Sequence, residues 1–366
     1  MHRFIAIIFG LFLCTQSINL RADSFNTSNI SSKIGDSAGE VSFFQAEKVM
    51  PGHFAYVAPK AKKIIEIDQD GVITRVFNFP EGFKAKRISG GSDIEWIPSL
   101  EQYLITSPTE GVARVNLDGD VAWLCENEFI SHDADYINED DVVFVNAWDD
   151  IGADEPIFTR INQTCDVVET LRASELELRK DSFHPDNVGN KGDNSHTHTN
   201  AVQLIRPKLI MLSIRNYDEI VIVSLKKREI VRRVKKATWV HDPLVLNPEV
   251  KPKRMDFIYA DRAKGDRLRM TRTVPDRKRP VEIWNSLAYE PRKDQIKDFR
   301  TDCTKRLWSP VRTVEKLPNG NFLVTGSAHI GQITLEGELV WQIRLKGFDN
   351  QFKGKDYIYK AAFRPN

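Results

Sequence analysis

Three histidines stand at matching places in the sequence, each at the start of a segment that predicts a β-strand. They are His132, His198 and His241, and the strand-like run after the second one is followed by Arg215. A neutral imidazole is a competent nucleophile and proton carrier near pH 7. A guanidinium offers a planar set of donors that suits an oxyanion. These residues together predict a pocket that binds an anion and reacts with it.

Each histidine also has a simpler interpretation, in which the imidazole caps its own strand and bonds to a neighbouring turn. Three histidines at matching positions of successive units favour a shared site instead. A second alternative is a metal site, because His196 and His198 form an H-x-H pair on one face of a strand, with Asp193 nearby. We expect no metal, since no acidic ligand is placed on a strand beside the pair.

The order of predicted elements indicates how these residues would meet. Short strands separated by Asp-Gly, Asn-Gly or Lys-rich turns recur about every 40 residues, the period of a four-stranded propeller blade. The pattern occupies residues 62–79, 93–123, 132–171, 198–234 and 311–345, with a looser copy at 241–284. The sequence therefore predicts an all-β, six-bladed β-propeller of four-stranded blades, whose first strands line a central channel. A sandwich or a linear solenoid is the alternative, and ring closure is favoured because it removes exposed strand edges.

Segments outside the repeats have separate interpretations. We expect the propeller to span residues 43–366, with the strand-like segment 357–363 completing a blade and closing the ring. Residues 172–194 predict an insertion with a short helix at 173–178. Residues 23–42 are rich in Ser, Asn and Gly and predict a flexible tether.

The first 22 residues predict a signal peptide. A positive Met1-His2-Arg3 is followed by an apolar run at 4–14, which is too short to span a bilayer. A buried N-terminal strand and a lipoprotein anchored at Cys14 are the alternatives. We expect an exported protein, periplasmic or extracellular, with no stable membrane insertion once the signal is removed.

The composition of the chain indicates which binding partners are expected and whether its cysteines form a disulfide. The chain has 52 basic and 51 acidic residues, a net charge of +1. This balance argues against a nucleic-acid partner, which usually selects a basic excess. Beyond the signal peptide the cysteines are Cys125, Cys165 and Cys303. We expect one disulfide in an oxidising compartment, with Cys125 and Cys165 favoured because both end predicted outer strands.

From residue 49 to its end, the chain resembles the bacterial arylsulfotransferase family of the six-bladed propeller type. No single segment is specific, but the order and spacing of the set are. The segments are 51–56, 67–71, 132–133, 198–202, 213–215, 241–242, 317–321 and 358–361.

The resemblance implies sulfuryl transfer from an aryl sulfate to a phenol through a sulfohistidine, with no cofactor and small molecules as partners. It implies that His241 is the nucleophile and that His132, His198 and Arg215 bind the anion and handle protons. Substrate-binding candidates, whose aromatic members are alternatively blade core, are His196, Asn200, Trp239 and Tyr217. The alternatives are a non-catalytic propeller that binds an anionic, sulfated ligand and a metal-dependent hydrolase. The sequence does not predict the oligomeric state.

Overall fold

The computed structural model describes residues 36–83, 91–138, 141–146, 154–178, 196–235, 237, 240–263, 267–273, 281–285, 312, 314–348 and 357–366. For 261–263, 267–273 and 281–285 it describes the backbone alone. The predicted signal peptide, most of the predicted tether, Trp239 and Cys303 lie outside these residues.

The described residues contain twenty-five strands. In chain order they are β1 (Gly39–Phe44), β2 (Gly52–Ala58), β3 (Lys63–Asp68), β4 (Ile73–Asn78), β5 (Asp93–Ile97), β6 (Gln102–Ser107), β7 (Gly111–Asn116), β8 (Val121–Glu126), β9 (Ile130–Asn138), β10 (Asp141–Asn146), β11 (Pro156–Asn162), β12 (Val167–Arg172), β13 (Thr199–Arg206), β14 (Leu209–Ile214), β15 (Glu219–Ser224), β16 (Glu229–Lys235), β17 (His241–Val245), β18 (Phe257–Ala263), β19 (Arg267–Thr273), β20 (Val281–Asn285), β21 (Val314–Lys316), β22 (Phe322–Thr325), β23 (His329–Ile333), β24 (Leu339–Leu345) and β25 (Ala361–Pro365).

The strands form antiparallel sheets that follow the predicted repeats. Five sheets have four strands, in the orders β25-β2-β3-β4, β5-β6-β7-β8, β9-β10-β11-β12, β13-β14-β15-β16 and β17-β18-β19-β20. A sixth sheet has five strands, β21-β22-β23-β24-β1, so the prediction of four strands was wrong there. The first strands of successive sheets contact each other from β25 through β5, β9, β13 and β17 to β21, and β22 contacts β25, which is the arrangement of a propeller around a channel.

Closure of the ring uses both ends of the described chain. The C-terminal strand β25 pairs with β2, as predicted for the segment 357–363. At the outer edge β1 pairs with β24, so residues 39–42 of the predicted tether lie in a strand. Both pairings remove sheet edges that would otherwise expose unpaired backbone groups.

Burial explains why these segments become blades. The middle strands carry apolar residues on both faces, as in β14, where all six residues are buried between neighbouring sheets. Outer strands such as β12 face solvent, and in β12 Leu171 is the one fully buried residue. Aromatic stacking joins blades as well, since the Phe54 and Trp341 rings lie 4.4 Å apart between centroids.

Two further features bear on the sequence predictions. Cys125 of β8 and Cys165, in the turn before β12, form a disulfide with Cα atoms 5.7 Å apart. It joins two neighbouring blades. The predicted helix at 173–178 is instead a series of turns. Among the helices in the described part of the chain, none combines the length and apolarity needed to cross a bilayer.

Candidate functional site

The predicted catalytic residues meet at one end of the channel, where the innermost strands begin. His132 is the third residue of β9, His198 directly precedes β13, and His241 is the first residue of β17. The three imidazoles are almost fully buried, with 3–4% of each residue exposed. Because adjacent blades supply them, residues far apart in the sequence become neighbours.

Two of the imidazoles are paired with guanidinium groups. Arg215 Nη1 lies 2.6 Å from His198 Nε2, and Arg312 Nη1 lies 2.6 Å from His241 Nε2. A guanidinium can only donate, so each Nε2 accepts and the ring proton belongs on Nδ1. In this tautomer the Nε2 lone pair of His241 points at a cation.

The remaining rings complete a continuous cluster. His132 lies 5.6 Å from His198 and 5.0 Å from Tyr359 between ring centroids, the latter pair being stacked at 15°. The guanidinium of Arg312 lies 4.4 Å from the centroid of Tyr359, and His241 meets the same ring edge-on at 6.3 Å. Tyr359 therefore connects the His132 and His241 sides of the cluster.

Electrostatics keep His132 neutral. Burial first, then the neighbouring charges of His198, Arg312 and Arg215, lowers the pKa of His132 well below 6.5, while a backbone hydrogen bond with Gly91 opposes the shift. Gly91 also has a steric role, because a Cβ at this position would overlap the His132 ring. The imidazole is thus held unprotonated near pH 7 and oriented by a close backbone approach.

Local backbone conformations at the site are unusual for residues other than glycine. His198 has φ of 46° and Asp242, next to His241, has φ of 44°. Left-handed conformations of this kind are costly and concentrate at sites where the surrounding structure imposes them. In this protein they turn the chain just where two site histidines are presented.

The predicted substrate-binding residues that the structure describes lie in two groups. Asn200 Nδ2 lies 3.3 Å from His241 Nε2 and donates to the Val240 carbonyl, so this residue belongs to the cluster. Its Oδ1 has no hydrogen-bond partner among the described residues. His196 and Tyr217 hydrogen-bond to each other, with 2.8 Å between Nε2 and the hydroxyl oxygen.

Three details differ from the sequence prediction. Arg215 does not begin a strand but lies in the one-turn 3-10 helix Arg215–Tyr217 between β14 and β15. His132 and His198 are offset from the first positions of their strands. Sequence reasoning missed Arg312 and Tyr359. A usable signal existed for Arg312, because it precedes the first strand of the sixth unit as His198 precedes that of the fourth.

Further along the same strands the channel becomes acidic. Lys360, 4% exposed, forms ion pairs with Asp133, with Asp242 at 3.0 Å and with Asp93 at 3.3 Å. Burial first, then repulsion by nearby carboxylates, raises the pKa of Asp135 to about 7. The His and Arg cluster is therefore followed along the channel by a carboxylate-rich layer, because Asp133, Asp242 and Lys360 directly follow His132, His241 and Tyr359 in the chain.

Comparison with known proteins supports the fold. No family model matches the chain, and no curated protein matches it. Among solved structures, a protein of unknown function from Bacteroides caccae is 13% identical with a TM-score of 0.53, over 86% of this chain and 100% of that one. TolB from Acinetobacter baumannii (9% identity, TM-score 0.49, 86% and 67% covered) and the WD40 β-propeller domain of Doa1 (12%, 0.47, 86% and 86%) are more distant. With its ring of antiparallel sheets, the chain is an all-β protein with the β-propeller fold.

Proposed function

We propose that the protein is an aryl-sulfate sulfotransferase that moves a sulfuryl group to a phenolic acceptor through a sulfohistidine at His241. The observation that carries the proposal is the buried pairing of two imidazole Nε2 atoms with two guanidinium groups, each at 2.6 Å, around a third, neutral imidazole. The resemblance to arylsulfotransferases in sequence points to four of these residues, His132, His198, Arg215 and His241, but not to Arg312.

The charge of the site fits a group with three anionic oxygens. Arg215 and Arg312 provide fixed positive charge from two blades, and guanidinium groups remain protonated at any working pH. The side chains are mostly buried, so their charges act in a medium of lower dielectric than water. Donors fixed in this way stabilise charge in a transition state without reorganisation.

The first half-reaction follows from the tautomer of His241. When the sulfate oxygens take over the donors of Arg312, the Nε2 lone pair is released and attacks sulfur. The bond between sulfur and the aryl oxygen breaks, and its electron pair leaves with the phenolate. The products are a sulfonated imidazole, which keeps its Nδ1 proton, and a phenolate that takes a proton from solvent.

The second half-reaction reverses these steps with a different phenol. His132 is neutral at pH 7, accepts the proton of the acceptor hydroxyl and then releases it to solvent, which balances the proton that the first phenolate took up. The acceptor oxygen attacks sulfur, the nitrogen–sulfur bond breaks, and its electron pair returns to Nε2 of His241. In sum, aryl sulfate and acceptor phenol give phenol and a new aryl sulfate. Such a covalent division predicts ping-pong kinetics.

We also propose an exported protein that meets small aryl sulfates and phenols outside the cytoplasm. The Cys125–Cys165 disulfide supports this, since such bonds persist in oxidising compartments.

The test is a search for the covalent intermediate. Purified protein is mixed with 4-nitrophenyl sulfate, and nitrophenol release is followed with and without added phenol. Intact-mass and peptide analysis at neutral pH should locate one acid-labile SO3 group on His241. His241→Asn should abolish the adduct and the transfer, whereas the matched control His53→Asn, outside the cluster, should retain both.

The outcomes separate the candidate functions. Folded protein that gives neither nitrophenol nor adduct overturns the proposal. If the same protein binds aryl sulfates reversibly, the non-catalytic anion-binding propeller replaces it. Nitrophenol release that does not respond to phenol identifies a hydrolase and overturns the transfer step.

A further inference from the structure

The acidic end of the channel opens into a cavity of about 270 Å³. Five carboxylic acids line it, together with Lys360 and the exposed Lys316, and Asp133 adjoins it through Lys360. The acids are Asp93, Glu95, Asp135, Asp242 and Glu315. So many buried carboxyl groups require compensation, because an unpaired buried charge is costly.

In most of these carboxyl groups one oxygen has a structural role, because it accepts a hydrogen bond from a backbone N–H group. The innermost strands have no neighbour on the channel side, and side chains from the preceding blade accept their free backbone N–H groups. The hydrogen bonds, with their lengths, are Val202 N to Asp133 Oδ2 (2.6 Å), Leu204 N to Asp135 Oδ2 (2.7 Å), Val314 N to Asp242 Oδ2 (3.0 Å) and Phe363 N to Glu315 Oε2 (3.1 Å). This arrangement explains carboxylates in three blades as connections between blades.

Lys360 accounts for a second set of oxygens. Its ammonium group bonds to Oδ1 of Asp133 and of Asp242, and lies 3.3 Å from Oδ1 of Asp93. The same Asp93 Oδ1 also accepts the backbone N–H of Ile94 at 2.8 Å. Both carboxylate oxygens of Asp133 and one carboxylate oxygen of Asp93 therefore have hydrogen-bond or ion-pair partners.

Asp93 and Glu95, the two carboxylic acids of β5, take no part in these hydrogen bonds between blades. Neither Asp93 nor Glu95 accepts a backbone N–H from the next blade among the hydrogen bonds of the described residues. Asp93 is 1% exposed, yet its Oδ2 has no hydrogen-bond donor within the described part of the chain. Burial and neighbouring carboxylates raise the pKa of Asp93 and of Glu95 well above the usual range, so this oxygen is satisfied either by a proton or by a cation that displaces it.

The arrangement of the carboxylates in this region fits one cation. Asp93, Glu95 and Asp133 each offer a carboxylate oxygen, and these three atoms lie within 4.8 Å of one another. This spacing is compatible with Ca²⁺, whose bonds of about 2.4 Å allow oxygens to lie up to about 4.8 Å apart. Three converging carboxylates also suit Ca²⁺, which takes about six to eight oxygen ligands, better than Mg²⁺, which keeps several waters and is usually bound through about one or two carboxylates. The adjoining cavity has room for the waters that complete a calcium coordination shell.

We propose that Asp93, Glu95 and Asp133 form a calcium site at the acidic end of the propeller channel. The site is separate from the histidine cluster, and it does not depend on the proposed transfer reaction. The ion would neutralise the carboxylates of β5 that the backbone and Lys360 leave uncompensated. It would thereby join β5 to β9, a pair of inner strands for which the described residues show no carboxylate-to-backbone connection.

The test titrates the full-length protein, freed of metal with EDTA, with CaCl2 at pH 7.5. Saturable binding of one Ca²⁺ and a saturable rise in Tm are expected, with a smaller rise from MgCl2. Terbium(III) provides a local probe, because its luminescence is sensitised by a nearby indole and Trp96 lines the cavity. Ca²⁺ should displace the terbium.

Two variants and one matched control locate the ion. Glu95→Gln preserves the side-chain shape at a half-buried position and should weaken Ca²⁺ binding at least tenfold. The control Glu101→Gln, on the exposed turn of the same blade, should bind Ca²⁺ as tightly as wild type. Trp96→Phe should reduce terbium luminescence while leaving the Ca²⁺-dependent Tm rise. The proposal is overturned if wild type shows no saturable binding, if NaCl of equal ionic strength gives the same Tm rise, or if Glu95→Gln binds Ca²⁺ unchanged. Because wild type alone decides the first two results, a misfolded variant leaves the test decisive.

Discussion

Glu66 ties the closing strand of the ring to the first two blades, and its replacement provides a quantitative test. Its carboxylate, 0% exposed, accepts two hydrogen bonds from Arg364 of β25, at 2.8 and 3.1 Å. It also accepts the hydroxyl of Tyr103 from the second blade at 2.6 Å. A network that spans three strands from remote parts of the chain should stabilise closure.

The pKa of Glu66 gives the size of the effect. Burial alone would raise the pKa, but hydrogen bonds from Arg364, Tyr103, Thr74 and Arg75 lower it from 4.5 to about 2. A difference of about 2.5 pH units, at about 1.4 kcal/mol per unit, corresponds to about 3 kcal/mol of folding free energy. This figure is an order of magnitude, comparable to the cost of breaking a buried ion pair.

The direction of the pKa shift of Glu66 determines the pH range in which this residue stabilises the fold. The pKa of Glu66 is lower in the folded protein than in the unfolded chain, so its stabilisation is complete above about pH 4.5 and is lost as the pH falls towards 2. Glu66→Gln removes this titration. The free-energy difference between wild type and variant should be about 3 kcal/mol at pH 7 and about half of that near pH 3.

Urea unfolding followed by tryptophan fluorescence, from pH 3 to pH 7, measures this difference. Subtracting variant from wild type cancels the other carboxyl groups, several of which titrate with the opposite sign. Glu81→Gln, on an exposed turn, is the matched control and should show no such dependence. A difference that is constant with pH, or below 1 kcal/mol at pH 7 (about a third of the value above), would refute the reasoning.

Three further predictions concern the site and the disulfide. Arg312→Gln should lower kcat for aryl-sulfate transfer by about 10²–10³, the usual loss for one fixed donor to a developing charge, and a loss below threefold would contradict its pairing with His241. The rate of the acceptor half-reaction, measured from pH 5.5 to 8, should stay mostly unchanged down to pH 6. The lowered pKa of His132 leaves this residue neutral at pH 6, where an ordinary histidine of pKa 6.5 would be about three-quarters protonated. A decline in rate centred on pH 6.5 would exclude His132 as the base. Replacing Cys125 and Cys165 together by Ser opens a loop with a sequence separation of 40 and should cost about 4 kcal/mol in urea unfolding, and equal stability would show that the bond adds no constraint.

The sequence predicted the blades well because their signals are local. Each unit has short apolar strands and turn residues in register with the strand period, and every predicted repeat became a sheet. The closing strand at 357–363 was predicted for the same reason, and the pairing of Cys125 with Cys165 followed from the ends of outer strands.

Two local predictions failed because tertiary contacts override short-range preference. Residues 173–178 are too few to form a stable helix without packing. In the structure Glu175 bonds to Arg228 at 2.7 Å, and this contact ties the segment to the neighbouring blade as turns. Arg215 looked like the start of a strand, but Asn216 donates its backbone N–H to the Thr197 carbonyl, which bends the chain into a 3-10 turn.

By itself the sequence determined the repeat, the strand faces and three histidines at related positions, since hydrogen-bonded strands and alternating burial depend on residues close together in the chain. Only the tertiary structure decided that Arg312 reaches His241 across a separation of 71 residues and that Lys360 neutralises carboxylates of three other blades. Those pairings depend on closing the ring, because the angle between blades sets which side chains point at the same stretch of channel. A pattern of spacing carries no information about that angle.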